Sequence, residues 1–193
     1  MQIVKFPHPT LRYQSKPLRR VDAELRTMIR EMFDLMYEHD GVGLAANQVD
    51  LPYRLFVMNT AADPAVKEEE HVFINPVIVR RKGSAEDREG CLSFPELFAP
   101  VVRSEQITVN AYDASGQELT YELSGLPARV VQHETDHLDG TVFIDRVSPA
   151  NRLAIKEALE ELELEFHGNR RRGVIPDDGL IAARLSELEA ART

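Results

Sequence analysis

The sequence predicts an α+β fold, with mixed or antiparallel strands packed around a central helix and a further helix near the C-terminus. Apolar residues recur at three- and four-residue steps in 22–39, 126–139 and 149–167, the period of a helix with one buried face. Between the first two stretches lie short apolar runs bounded by glycine and proline, which suits strands.

The helix over 22–39 carries Leu25, Met28, Ile29, Met32, Phe33 and Met36 on its stripe, with Asp22 as N-cap. Gly41 and Gly43 end that pattern. Strands are expected at Leu55 to Met58 and Val72 to Val79, where Pro76 marks an edge or a bend. Ile107 to Tyr112 and Glu118 to Leu123 flank the turn Asp113-Ala114-Ser115-Gly116 and read as a hairpin. The central helix, Leu126 to Asp139, tolerates Pro127 in its first turn and has Gly140 placed to cap its end. One helix is expected from Pro149 to His167, since no breaker interrupts Leu153, Ile155, Leu159, Leu162 and Leu164. Residues 168–193 hold Arg170, Arg171 and Arg172, a pause at Gly173 and Pro176, and a short helix after Asp178, and read as an extension to a domain of residues 1–167.

At 193 residues the chain suffices for one domain with a full core. Its net charge of −9 opposes general binding to DNA or another polyphosphate. No segment has the apolar length of a membrane span, and Met1 to Pro7 offers no apolar run of signal length, so the expected setting is cytoplasmic. The single cysteine, Cys91, rules out an intrachain disulfide.

Within the central helix, His133-Glu134-Thr135-Asp136-His137 fits H-E-x-x-H, in which two imidazoles one turn apart can grip one metal ion. A catalytic divalent site takes three protein ligands and leaves a position open. The third ligand is a choice between His167, at a helix end without a supporting motif, and Cys91, beside Gly90 in Glu89-Gly90-Cys91-Leu92-Ser93. A thiolate with two imidazoles suits Fe(II), Zn(II), Co(II) or Ni(II) rather than Mg or Ca.

Three segments together resemble the peptide deformylases: Gly41-Val42-Gly43-Leu44-Ala45-Ala46-Asn47-Gln48, then Glu89-Gly90-Cys91-Leu92-Ser93, then Gln132-His133-Glu134-Thr135-Asp136-His137. The order is the family's, and the resemblance covers roughly residues 1–167. It implies one divalent metal on Cys91, His133 and His137, with Fe(II) expected and Zn(II), Ni(II) or Co(II) as substitutes. It makes Glu134 the proton-transfer residue, and Gln48 and the Leu92 backbone N–H the donors to the developing oxyanion. Val42, Gly43, Leu126 and Val130 would border a slot for a methionine side chain. The implied substrates are N-formylmethionyl nascent peptides, with transient contact to the ribosome. An ion pair of Glu89 with Arg103 is expected to brace the Cys91 loop.

The chain departs from the family's pattern at Phe98, near which some members carry an arginine, so the cleft entrance is expected to be more apolar. The helix normally associated with ribosome docking is acidic here from Glu157 to Glu165, which leaves Arg170 to Arg172 either as a contact to ribosomal RNA or as a solvated charge run. Two other functions compete: a broad-specificity H-E-x-x-H metalloprotease, and a catalytically silent metal-containing binding module, which would want a closed four-ligand shell.

Overall fold

In the computed structural model, which describes residues 1–193, the α+β expectation holds. Five antiparallel strands lie in the order β1 (Gly43–Ala45), β2 (Leu55–Met58), β3 (His71–Lys82), β6 (Gln106–Tyr112) and β7 (Glu118–Ser124). A separate hairpin pairs β4 (Ala85–Cys91) with β5 (Phe94–Arg103).

The sheet is buried on both faces at β2, which explains its unbroken apolar run. Leu55 and Val57 face α1 (Ala23–Glu38), packing with Leu25, Ile29, Met32 and Met36. Phe56 and Met58 face the other way, onto α2 (Gly125–Leu138), where they meet Ala128, Val130, Val131 and Leu138. Asp22 caps α1 as expected, accepting from the Leu25 N–H at 2.9 Å. A third cluster joins β5 to the segment after α2, with Phe94, Leu97 and Val101 packed against Val142, Phe143 and Ile144. The central helix is thus held between the sheet and the β4–β5 hairpin.

At Pro76 the expectation of an edge or a bend is met: β2 pairs with β3 only as far as Ile74, and the proline lies just past it, where β3 has β6 alone beside it and that ladder slips between Ile74 and Val77. A bulge spares the missing N–H, and Asn75, at φ 54°, turns its amide to the Leu18 backbone on both sides. The helix expected over 149–167 is two, α3 (Pro149–Ala154) and α4 (Lys156–Arg171). Ile155 breaks it at φ −104°, ψ 5° while packing beside the Phe94 and Phe143 cluster, so tertiary contact overrides a helical pattern without a breaker. The β4–β5 hairpin has no counterpart in the sequence reading, because Ala85 to Cys91 contains almost no apolar residue to alternate.

Helix α4 runs through Arg171, across the boundary expected after 167. Beyond it α5 (Asp178–Ala190) lies against the body rather than hanging free: Ile181 and Leu185 are buried. Glu189 takes bonds from Tyr13 and Lys16, and the buried Arg192 pairs with Asp22 and Glu24. No helix is long and apolar enough to cross a membrane.

Gly140, just past the end of α2, has φ +70°, and a Cβ there would meet the Arg12 carbonyl oxygen at 2.6 Å. Gly116, at φ +88°, has nothing within 4 Å. Both lose the left-handed allowance on mutation to alanine, at a cost of about 1–2 kcal/mol. The backbone clash adds to this only at Gly140. Denaturant unfolding is expected to show Gly140→Ala losing clearly more stability than Gly116→Ala; equal losses would mean that the Arg12 segment yields without cost.

Candidate metal centre

Helix α2 turns His133 and His137 toward Glu89 and Cys91 of β4 and Glu134 toward Gly43 of β1, and all three are buried. Residues one turn apart share a helix face, and the two imidazole centroids are 5.0 Å apart. Cys91 ends β4, and its Sγ lies 3.3 Å from His137 Nε2. One ligand atom from each of Cys91, His133 and His137 lies within 4.8 Å of the others. Of the two candidates for third ligand, Cys91 is the one brought to the histidine pair. His167, on α4, is outside the cluster.

The donor set fits a divalent ion of the zinc and iron type. Burial, together with the positive charge of His133 and Arg103, holds His137 well below its ordinary pKa, so it is neutral and has the form that ligates. Burial opposes the charge of His133, but hydrogen bonds to Cys91 and Glu89 outweigh it and hold that ring well above its ordinary value. A cation seated among the three would replace that proton.

Glu89 organises the centre from behind. Its Oε2 lies 3.0 Å from His133 Nδ1, which fixes the other ring nitrogen toward the cluster. Arg103 grips the same carboxylate from two nitrogens, each at 2.9 Å, so the expected Glu89–Arg103 pair is present. Arg129 adds a third donor at 2.6 Å, and Arg103 reaches on to Asp136. Despite burial, these partners hold Glu89 well below the usual carboxylate range. Nothing in the sequence marks Arg129, which lies outside the three motifs, or Asp136, which fills an unspecified position of H-E-x-x-H.

Glu134 has no such company. Its Oε2 is buried without a hydrogen-bond partner, and burial pushes the group up to about 7, reinforced by Glu89. Its Oε1 is where a Cβ on Gly43 would sit, at 2.6 Å, so the first motif needs glycine there to admit the carboxylate. Gln48 accepts from the Ala45 N–H at 2.8 Å, which leaves its amide NH₂ facing Cys91 Sγ at 3.3 Å and Ser93 Oγ at 3.4 Å. Its neighbour Asn47 has a scaffold role, bonding to Ser15 and to the Tyr13 carbonyl.

A cleft of about 850 Å³ opens onto these groups. Val42, Gly43, Leu126 and Val130 line it, as do Gln48, Cys91, Leu92, His133 and Glu134; His137 lies behind. It runs between β1, the outer strand of the large sheet, and β4 of the hairpin. The entrance at Phe98 is not simply apolar: Arg88 of β4 lies over that ring, 5.5 Å from its centroid.

A buried carboxyl with a pKa near neutral, beside a three-ligand cluster on an open cleft, has the parts for metal-assisted hydrolysis. The polypeptide deformylase family model matches residues 1–153. A peptide deformylase of Rhodopirellula baltica is 46% identical over 196 aligned positions, 100% of this chain and 96% of that protein. Peptide deformylase 1 of Shewanella oneidensis is 44% identical over 83% of this chain and 94% of its own length. Among solved structures, peptide deformylase 1B of Arabidopsis thaliana matches with a TM-score of 0.84 at 40% identity, covering 92% of this chain and 97% of that one. The Thermotoga maritima peptide deformylase matches at 0.72 and 42%, over 77% and 97%.

Co(II) is the probe for the ligand set. Cys91→Ser is expected to abolish the sulfur-to-cobalt charge-transfer band, and His133→Ala or His137→Ala to abolish tight binding. Glu89→Gln, which weakens the support of His133, is expected to lower cobalt affinity about 10–100-fold. Unchanged affinity in Glu89→Gln would show that His133 is oriented without it.

Proposed function

The chain belongs to the polypeptide deformylase family, and on that premise we propose that Cys91, His133 and His137 hold its metal while Glu134, Gln48 and Leu92 carry the chemistry. Members of the family are metal-dependent hydrolases that remove the formyl group from the N-terminus of new polypeptides, and formate release from formylmethionyl peptides is the activity of this chain. The observation that carries the assignment of residues is the juxtaposition of the Cys91, His133 and His137 ligand atoms with the unpartnered carboxylate oxygen of Glu134.

When bound, a divalent ion supplies Lewis-acid polarisation of the formyl carbonyl and lowers the pKa of water toward about 7. Fe(II) is the proposed physiological ion, with Zn(II), Ni(II) or Co(II) able to replace it, since a thiolate and two imidazoles make a soft set. Glu134 takes a proton from the water that attacks the formyl carbon and passes it to the amine nitrogen as the C–N bond breaks. A pKa of about 7 suits a group that must both accept and return that proton. The Gln48 amide and the Leu92 backbone N–H donate to the oxygen that gains negative charge.

The methionine side chain is proposed to enter between Val42 and Gly43 on one wall and Leu126 and Val130 on the other. The peptide beyond it, in extended form, fits between β1 and β4 by backbone pairing. Residues 1–167 are proposed as the catalytic domain, in a cytoplasmic setting. Contact of the 168–193 extension with the ribosome would fall chiefly to Arg171 and Arg172, both exposed. Arg170 is engaged by Asp178 and the Phe166 ring.

Anaerobically prepared, Fe(II)-loaded protein is expected to release formate from formyl-Met-Ala-Ser and to leave casein intact. Glu134→Ala should keep its metal and lose about 10²–10⁴ in kcat. Gln48→Ala should lose about 10²–10³ in kcat with little change in KM. Metal-loaded protein that cleaves casein and releases no formate would overturn the reading. Charge reversal at Arg171 and Arg172 is expected to reduce ribosome co-sedimentation; unchanged co-sedimentation would make the arginines a solvated run.

A further inference from the structure

Two arginines line the cleft, and they stand in opposite states. Arg129 is buried and committed to Glu89 and to the carbonyls of Val101 and Ala85. Arg88 is exposed, and its guanidinium has a ring for a neighbour instead of a carboxylate. That ring, Phe98, is 54% exposed although it is large and apolar. It lies across Gly90, its register partner, where a Cβ would meet Phe98 Cε1 at 2.4 Å. Arg88 precedes Gly90 by two residues and therefore shares its strand face. Cation, ring and glycine form one stack on the cleft wall that leads to Cys91.

We propose that Arg88, seated on Phe98, is a specificity-determining residue that favours formylated peptides with an acidic side chain at their third residue. The proposal rests on the deformylase reading. The aromatic face strips water from one side of the guanidinium and fixes its plane, which leaves the donor edge free for a carboxylate. Cleft acids at Glu38, Asp40 and Glu96 make no ion pair with it. Arg88 is three residues before Cys91 on an extended strand, hence about 10 Å away at ~3.3 Å per residue. An extended peptide has the same rise. With its formyl end beside Cys91 and its chain along β4, it brings its third residue to Arg88.

The test measures formate release by the Fe(II) enzyme from formyl-Met-Ala-Glu, formyl-Met-Ala-Ser and formyl-Met-Ala-Lys, all C-terminally amidated so that no terminal carboxylate competes. The Glu peptide is expected to exceed the Ser peptide in kcat/KM by about two- to fivefold, the range of an exposed ion pair, and the Lys peptide to fall below it. The difference should lie in KM rather than kcat and shrink at high salt. In Arg88→Gln the ratio of Glu to Ser peptide should approach one, and in Arg88→Glu it should invert. Phe98→Ala, which removes the platform but keeps the cation, should also lower the ratio. Equal rates for the three peptides in the parent enzyme, or a preference that survives Arg88→Gln, overturn the role of Arg88 alone. No release from even the neutral peptide overturns it together with the deformylase reading.

Discussion

The buried carboxylate of Glu89 accepts from Arg103, Arg129 and His133 at once, and through those three bonds β4, β5 and α2 are tied at one point. Each partner alone would be a liability. A buried guanidinium without an anion costs several kcal/mol, and removal of one member of such a group typically costs about 3–5 kcal/mol because the others are left unpaired. Two cations on one anion leave a surplus of positive charge, and Asp136, on the same face of α2, offsets it at Arg103 while also pairing with the half-exposed Arg146. The network adds little net stability over an apolar core of the same shape. What it adds is geometry, since the strand that carries Cys91 can meet the helix that carries His133 and His137 in one register only.

The same helix therefore serves two ends. Ala128, Val131 and Leu138 bury the sheet face at Phe56 and Phe73, while Arg129, His133 and Asp136 face the hairpin. Polar groups can lie inside this protein because nearly all of them are satisfied. Four buried atoms have no partner, Glu134 Oε2, Thr135 Oγ1, His137 Nδ1 and Arg170 Nε, and of these four residues Glu134 alone lines the cleft. Its elevated pKa follows chiefly from desolvation, with the negative charge of Glu89 adding to it.

Elements governed by neighbours in sequence were legible. Asp22 and the stripe from Leu25 to Met36 mark α1 because a cap and a 3.6-residue period are local properties, and the turn at Asp113 to Gly116 marks the β6–β7 hairpin for the same reason. The break at Ile155 was not legible, since it answers to a core assembled from β5 and the segment after α2. Nor was the β4–β5 hairpin, whose first strand, Ala-Glu-Asp-Arg-Glu-Gly-Cys, hides its one buried charge among exposed ones.

By itself the sequence determined the chemistry: which side chains can ligate, that two of them share a helix face, and that a carboxylate adjoins them. These follow from residue type and helical spacing, which need no fold. Cys91 is preferred to His167 only through the resemblance of its segment, and the tertiary structure is what brings its sulfur to the histidine pair; only that structure decided that Glu89 is shared with Arg129 as well as Arg103, and that Arg88 stands over Phe98 at the cleft entrance. Those contacts span many residues of chain and arise from strand register and core packing, where each position is set by all the others.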